Sequence, residues 1–241
     1  SWFSHKAEVA RPHYYKVYLA DYDVTTEFSP TDRAVSFRFT FPENDHSYVV
    51  LDAFNGGSMV KIIPEERKII GYCQNNSGGV PSNFKNYFVA VFDKDFEEVK
   101  TWKDENLQDS NEAKSFHVGG IVGFKTQKGE KVNVKIASSF ISQEQAELNL
   151  TREIGDKTLE QVKNEGAAIW EKELSRIKVE GGTEAQQKTF YSTLYRVLLF
   201  PRSFYEYDQD NKVVHYSPYN GEVLPGYMYT DLATIYERAG R

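Results

Sequence analysis

Apolar and polar residues alternate through most of the first 140 positions, and this alternation limits what the chain can fold into. The segment 35–41 reads VSFRFTF and the segment 132–137 reads VNVKIA. A period of two places one set of side chains on each face of a β-strand. Similar short runs follow one another with turn residues between them and without helical patterns. The sequence therefore predicts an antiparallel β-sandwich over residues 1–141.

The character of the sequence changes near Ser142. Three helix starts with capping-box spacing follow, at Ser142, Thr158 and Thr183, and each has a glutamine three residues later. Residues 142–182 are therefore predicted to form linker helices, and residues 183–241 to begin a second, helical domain. The fold class predicted for the chain is mainly β with C-terminal helices.

The predicted helix Thr183–Phe200 is apolar over a broad surface, with Phe190, Tyr191, Leu194 and Leu198 among its residues. A helix this apolar is normally enclosed by other helices. Few others remain in the chain, so we expect part of this surface to be uncovered. Uncovered apolar patches promote association. The helix is therefore expected either to pack on the sandwich or the linker helices, or to drive self-association.

Composition excludes several classes of function. The formal net charge is −6, from 29 Lys and Arg against 35 Asp and Glu, and no basic run stands out. Nucleic acid is therefore not an expected partner. No apolar stretch approaches the roughly 18 residues of a membrane helix. The single cysteine, Cys73, allows no internal disulfide, and neither it nor the five histidines have zinc-site spacing.

The segment Asp208–Asn211, with the sequence DQDN, resembles the start of a calcium loop. A complete loop needs a glycine at its sixth position and a glutamate at its twelfth. Val213 and Tyr219 occupy those positions here. Because Asp and Asn favour turns, a tight hairpin is the preferred interpretation.

Three close carboxylate pairs could suggest glycosidase chemistry: Glu65 with Glu66, Asp93 with Asp95, and Glu97 with Glu98. A glycosidase needs two carboxyl groups about 5–10 Å apart across a pocket. Neighbouring residues on a strand point to opposite faces. Solvated surface charge is the preferred interpretation for all three pairs.

The segment 75–84, with the sequence NNSGGVPSNF, is the most informative loop. Loops on rigid β-scaffolds often carry binding residues. An aromatic ring beside amides suits a sugar, because the ring meets C–H groups and the amides meet hydroxyls. Asn83 and Phe84 are therefore the candidate substrate-binding residues. The alternative is a long hairpin whose Phe84 folds back onto the core, and the sequence leaves both possibilities open.

Several stretches together resemble glycoside hydrolase family 92. They are Phe3–Lys6, Tyr14–Leu19, Asn76–Pro81, Asn86–Val89, Trp170–Leu174, Gly181–Arg202, His215–Tyr219 and Tyr229–Asp231. Their order and spacing cover nearly the whole chain, and the run Gly181–Arg202 is the most specific. The chain is identified on these motifs as an internal fragment of a family 92 α-mannosidase.

The resemblance implies an N-terminal β-sandwich, linker helices and a C-terminal (α/α)₆ barrel, of which residues 183–241 would be the truncated start. It implies an inverting, calcium-dependent exo-α-mannosidase that releases terminal mannose from glycans, often from α-1,2 linkages. It also implies an extracytoplasmic location, in the periplasm or outside the cell. The partner expected from the resemblance is a mannose-containing glycan.

The resemblance assigns no catalytic or metal-binding residue in this chain. In the family, the catalytic acid, the base and the calcium ligands lie in the barrel, beyond position 241. The segment Leu232–Arg241 also departs from the Trp-Asp-Thr-Phe-Arg-like run usual there. The fragment is therefore expected to be inactive and to bind no calcium by itself. The alternatives are a self-sufficient carbohydrate-binding module and a structural, adhesin-like domain.

Overall fold

In the computed structural model, which describes residues 1–230, the alternating segments form two antiparallel sheets. The strands are β1 (Val9–Arg11), β2 (Tyr14–Leu19), β3 (Val24–Pro30), β4 (Ala34–Phe41), β5 (Asn44–Asp52), β6 (Ser58–Ile63), β7 (Lys68–Cys73), β8 (Asn86–Phe92), β9 (Glu98–Lys103), β10 (Asn106–Gln108), β11 (Glu112–Ser115), β12 (Val118–Thr126) and β13 (Glu130–Ser139). The nine-stranded sheet has the order β1-β2-β3-β4-β13-β8-β7-β6-β11. The four-stranded sheet has the order β10-β9-β12-β5.

The inner faces of the two sheets share one apolar core. Ile62 and Val132 from the nine-stranded sheet and Val122 and Phe124 from the four-stranded sheet are almost completely buried in it. Burial of each such side chain contributes about 1.5–3 kcal/mol. The residues that alternate in 35–41 and 132–137 pair across β4 and β13, so the period of two marks the faces of this sheet correctly. The predicted antiparallel sandwich is confirmed.

Three helices follow the sandwich: α1 (Gln143–Glu153), α2 (Leu159–Leu174) and α3 (Glu184–Val197). Thr158 and Thr183 each form a complete capping box with the glutamine three residues later. At α1, the Ser142 hydroxyl accepts from the Gln145 N–H, which is half of a capping box. The Gln145 side-chain amide does not return to Ser142, because it donates to Asn149 and to the Tyr207 carbonyl. Capping thus starts all three helices where the sequence predicts.

Helices α1 and α2 pack on the outer face of the nine-stranded sheet. A second apolar cluster joins them to it, in which Val89 and Ala137 of the sheet contact Ala146, Leu150 and Val162 of the helices. The linker helices are therefore fixed to the sandwich by burial of one face, as expected for amphipathic helices.

Helix α3 has no buried residue. The Trp170 ring of α2 lies 4.8 Å from the Tyr195 ring of α3, centroid to centroid, and the Tyr191 hydroxyl donates to the Ile177 carbonyl. Phe190, Tyr191 and Leu194 are partly buried, whereas Val197 and Leu198 are exposed. Part of the apolar surface of this helix is therefore uncovered within the described chain, as the sequence predicts. Self-association through it stays a prediction.

An ion pair between α2 and the sheet should make the stability of the protein depend on acid pH. The guanidinium of Arg38 donates to Glu160 (Nη2 to Oε2, 3.0 Å), and these hydrogen bonds lower the pKa of Glu160 from 4.5 to about 2. Because the folded pKa is the lower one, the stabilisation is present above pH 4.5 and is lost as the pH falls towards 2. The Glu160 side chain is mostly exposed, so the pair contributes about 1 kcal/mol or less.

We therefore expect Glu160→Gln to lower the thermal unfolding temperature at pH 7, by a difference that disappears near pH 2. Scanning calorimetry at a series of pH values would measure it. Glu171→Gln on the same helix is the control, because Glu171 is exposed and makes no ion pair with the described residues. An equal loss for both variants at every pH would contradict the role of the Arg38–Glu160 pair.

The C-terminal region adds short strands, β14 (Arg202–Ser203), β15 (Tyr205–Tyr207), β16 (Val213–Tyr216), β17 (Val223–Pro225) and β18 (Tyr229–Thr230). Strands β15, β16 and β17 form a three-stranded sheet, here called the C-terminal sheet, and β14 pairs with β18. The segment Asp208–Asn211 is the tight turn between β15 and β16, in which Asp208 accepts from the N–H groups of Asp210 and Lys212. The run Asp231–Arg241, which includes the segment that departs from the family pattern, lies outside the described residues.

Within residues 1–230, no helix has both the length and the apolar character needed to cross a membrane.

Candidate functional site

The loop 75–84 connects β7 to β8, and its end contacts the C-terminal sheet. The Asn83 amide donates to the Gly221 carbonyl (2.8 Å) and accepts from the Tyr216 hydroxyl (3.0 Å). Residues Asn75–Gly79, at the start of the loop, are exposed. The start of the loop is therefore in solvent, and its end is held by hydrogen bonds to the C-terminal sheet and the turn that follows β16.

Phe84 contacts one aromatic ring from the sandwich side, Phe140, and one from the C-terminal sheet, Tyr216. Its half-buried ring stacks on Phe140 with centroids 5.6 Å apart and meets Tyr216 edge-to-face at 5.7 Å. Phe140 in turn stacks on Phe204 at 4.7 Å. Offset and edge-to-face pairs of this kind contribute about 0.5–1.5 kcal/mol beyond their burial. The aromatic row joins the sandwich to the C-terminal region.

A cavity of about 400 Å³ opens beside this row. It is lined by Gln74, Ser82, Asn83, Lys85, Tyr87, Phe140, Ile141, Tyr216, Gly221 and Val223. The Lys85 ammonium lies 4.3 Å from the centroid of the Tyr72 ring, in a cation–π contact. The lining is more polar than apolar and combines aromatic rings with amides, a hydroxyl and an ammonium, which suits a polar ligand such as a sugar. The cavity, here called the junction cavity, is the candidate functional site.

A buried carboxylate fixes the C-terminal sheet beside the junction cavity. Glu206 of β15 is only 2% exposed. It accepts from the Ser139 hydroxyl (3.0 Å), the Phe140 N–H (3.0 Å) and the Asn149 amide (2.6 Å). Three hydrogen bonds to a charged acceptor offset the desolvation of the carboxylate. One side chain thus joins the end of β13, helix α1 and the C-terminal sheet.

Of the two predicted site residues, Asn83 lines the junction cavity, whereas Phe84 packs against two of the lining residues, Phe140 and Tyr216. The Asn83 amide is used in holding the loop to the C-terminal sheet, and the Phe84 ring is held by Phe140 and Tyr216. Their contact with a sugar stays a prediction. Tyr216 and Lys85 were not predicted as site residues, although Tyr216 lies in one of the motifs of the resemblance, His215–Tyr219.

The carboxylate pairs do not form an acid–base pair in a pocket. Glu65, Glu66, Asp93, Asp95 and Glu97 are exposed, in keeping with solvated charge. Glycoside hydrolysis also needs a general acid with a raised pKa. Among the described residues, every carboxyl group with a clear pKa shift has a lowered pKa, and a hydrogen bond is the largest cause in each case. These groups are Glu8, Asp45, Glu98, Asp104, Glu130, Glu144 and Glu160.

Known proteins resemble this chain along nearly its whole length. Family models for the glycosyl hydrolase family 92 N-terminal domain and catalytic domain match residues 1–139 and 145–236. The structure of a family GH92 inverting mannosidase from Bacteroides thetaiotaomicron superposes with a TM-score of 0.91 and 43% identity, covering 95% of this chain and 31% of that one. A GH92 α-mannosidase of the same organism, in complex with mannoimidazole, gives a TM-score of 0.83 and 29% identity, with 95% and 31% covered.

A curated relative is more distant. It is named an uncharacterized secreted glycosidase, from Arthroderma benhamiae, and is 24% identical over 81% of this chain and 29% of its own length. The chain thus spans about a third of the length of the relatives that it matches. The junction cavity lies where residues of the two matched domains meet. With both domain models matched in order along one sandwich-and-helix fold, the chain belongs to glycoside hydrolase family 92.

Proposed function

We propose that this chain is part of an inverting, calcium-dependent exo-α-mannosidase that releases terminal mannose from glycans, with α-1,2 linkages as the preferred substrate. The observation that carries the proposal is the 43% identity to an inverting mannosidase over 95% of the chain, at a TM-score of 0.91. The 29% identical α-mannosidase with bound mannoimidazole supports it. The match of the catalytic-domain model to residues 145–236 favours an enzyme over a self-sufficient binding module.

Inversion needs one carboxylic acid to protonate the leaving oxygen and one carboxylate to activate water on the opposite face of the sugar. We assign both groups, and the calcium ligands, to the part of the protein beyond this chain. Calcium binds several oxygen ligands, usually with carboxylates among them. Within residues 1–230 no cluster of three or more His, Cys, Asp or Glu is placed to hold a metal ion. The residues described therefore do not fit a calcium site, and no step is derived through the metal.

The part of this chain in the reaction is to form one wall of the substrate pocket. The junction cavity is lined by the aromatic residues Tyr87, Phe140 and Tyr216 together with Gln74, Ser82 and Lys85. An aromatic wall takes the C–H face of a pyranose, and the polar groups take its hydroxyls. Asn83 and Phe84 hold this wall in place through Tyr216 and Phe140. Such positioning groups raise the rate by fixing the sugar in the reactive geometry.

Phe84→Ala in the full-length enzyme should lower kcat/KM on an α-1,2-linked mannobiose by about 5- to 30-fold, a loss of about 1–2 kcal/mol. The loss combines one missing aromatic surface with a displaced Phe140 and Tyr216. Because the ring is half-buried between them, we expect the thermal unfolding temperature to fall as well. Initial rates and calorimetry on the same preparations would measure both.

Phe54→Ala is the matched control, since Phe54 is an exposed phenylalanine on another loop of the sandwich. Phe54→Ala should change neither kcat/KM nor the thermal unfolding temperature. Phe84→Leu keeps apolar volume without an aromatic face and separates packing from stacking. A Phe84→Ala enzyme with unchanged kcat/KM and lowered stability would show that the residue only joins the two regions.

The location is proposed to be extracytoplasmic. The support is the relative from Arthroderma benhamiae, which is named a secreted glycosidase.

A further inference from the structure

The four-stranded sheet carries a groove on the face that points away from the nine-stranded sheet. This surface, here called the outer groove, is formed by Tyr48 and Val50 of β5, Glu98, Lys100 and Trp102 of β9, and Gly119, Ile121 and Gly123 of β12. Val50 is 60% exposed, although it is apolar and lies mid-strand. Helices α1 and α2 pack on the other sheet, so they leave this face open.

Two glycines make the floor of the outer groove. A Cβ added at Gly119 would lie 1.9 Å from Cη2 of Trp102, and one at Gly123 would lie 2.9 Å from Cε1 of Tyr48. Each ring therefore lies across a position that has no side chain. The two glycines are four residues apart on one strand, which separates the rings by about 13 Å. Two aromatic rings on one flat face match the length of a short oligosaccharide.

Polar groups stand beside each ring. The Tyr48 hydroxyl donates to Glu98 (2.7 Å), which also pairs with Lys100. At the other end, the His117 ring meets the Trp102 ring edge-to-face at 6.3 Å and its Nε2 lies 2.8 Å from an Asp52 oxygen. Carboxylates with free lone pairs beside an aromatic ring accept sugar hydroxyls well.

A small concavity of about 260 Å³ marks the Tyr48 end of the outer groove. It is lined by Asp45, His46, Tyr48, Glu97, Glu98, Gly123 and Phe124. Asp45 is paired with Lys125 across its rim. The charges along the groove are thus mostly matched, which suits a neutral ligand that has both donors and acceptors. A highly charged partner would meet as many repulsive as attractive groups.

We propose that the outer groove is a second carbohydrate-binding surface, which holds a neutral oligosaccharide by stacking on Trp102 and Tyr48, on a sheet separate from the junction cavity. The class of ligand follows from the rings, the glycine floor and the flanking polar groups. The choice of a mannose polymer as the ligand rests on the proposed function. Such a surface would keep the enzyme on a glycan while the junction cavity takes terminal residues.

Trp102 also shields Gly119, so its removal is expected to lower stability as well as binding. Two substitutions separate these effects. Trp102→Leu keeps an apolar cover over the glycine and removes the aromatic face, whereas Trp102→Phe keeps both. Tyr219→Ala is the control, because Tyr219 is the most exposed large apolar or aromatic side chain among residues 1–230 and lies outside the four-stranded sheet.

The test is native affinity electrophoresis of residues 1–241 in gels that contain soluble yeast mannan, a soluble mixed-linkage β-glucan or no glycan. We expect mannan to retard the wild type, Trp102→Phe and Tyr219→Ala. Trp102→Leu should bind about tenfold more weakly, with its fold verified by circular dichroism. Free mannose should not restore migration at concentrations at which mannotriose does.

Retardation by the β-glucan alone, lost in Trp102→Leu, would support the outer groove as a glycan site and remove its link to mannan. Failure of the mannosidase proposal is thereby distinguished from failure of the groove. Absence of retardation by either glycan, or equal retardation of wild type and Trp102→Leu, would overturn the proposal.

Discussion

Purified as residues 1–241, the chain is expected to release no mannose from α-mannosides, with or without calcium. A general acid and a general base each contribute about 10²–10⁴-fold to such a reaction. Every carboxyl group of the described residues that has a clear pKa shift has a lowered pKa, the opposite of what a general acid requires. Loss of both groups should therefore lower the rate by at least about 10⁴-fold.

Chromatographic measurement of mannose from an α-1,2-linked mannobiose would check this, with the full-length protein as the positive control. The assay should be run with millimolar calcium and again with a chelator. Turnover that depends on calcium and exceeds the blank would place the acid, the base and the metal site within these residues. The assignment of the chemistry to the remainder of the protein would then be wrong.

The sandwich could be predicted because its cause is local. The alternation in 35–41 and 132–137 reports which side chains face the core, and β4 and β13 pair along those two segments. The helix starts at Thr158 and Thr183 could be predicted for a similar reason, since a capping box is completed within four residues.

Strand order and the shortest strands could not be predicted in this way. Strand β13 lies between β4 and β8, and no sequence period encodes that neighbourhood. Strands β1 and β10 have three residues each, too few to show a period of two. The C-terminal sheet has the same difficulty, because its strands have three or four residues, and only the hairpin at Asp208–Asn211 is predicted from the sequence.

Only some residues of the candidate site could be predicted from the sequence. The polar composition of the loop 75–84 points to binding, and Asn83 and Phe84 follow from it. Their partners Tyr216 and Gly221 lie more than 130 residues further along the chain. Contacts over such separations depend on how whole domains meet, and a pattern within one loop carries no information about them.

Glu206→Ala is expected to destabilise the chain by about 3–5 kcal/mol, because it removes the common acceptor of three hydrogen bonds at a buried position. The donors are the Ser139 hydroxyl, the Phe140 N–H and the Asn149 amide. Glu206 is only 2% exposed, so solvent does not readily replace its carboxylate as the acceptor. For a protein of this size the unfolding temperature should fall by about 10 °C. Urea denaturation and calorimetry would measure the change.

Glu222→Ala is the matched control, since Glu222 lies in the neighbouring turn and is exposed. It should change stability by about 0.5 kcal/mol at most. Glu206→Gln keeps the shape and one acceptor oxygen, so its loss should lie between the two. A loss below about 1 kcal/mol for Glu206→Ala would contradict this view. It would mean that Gln145 and Arg152, which both donate to the Tyr207 carbonyl, hold the C-terminal sheet instead.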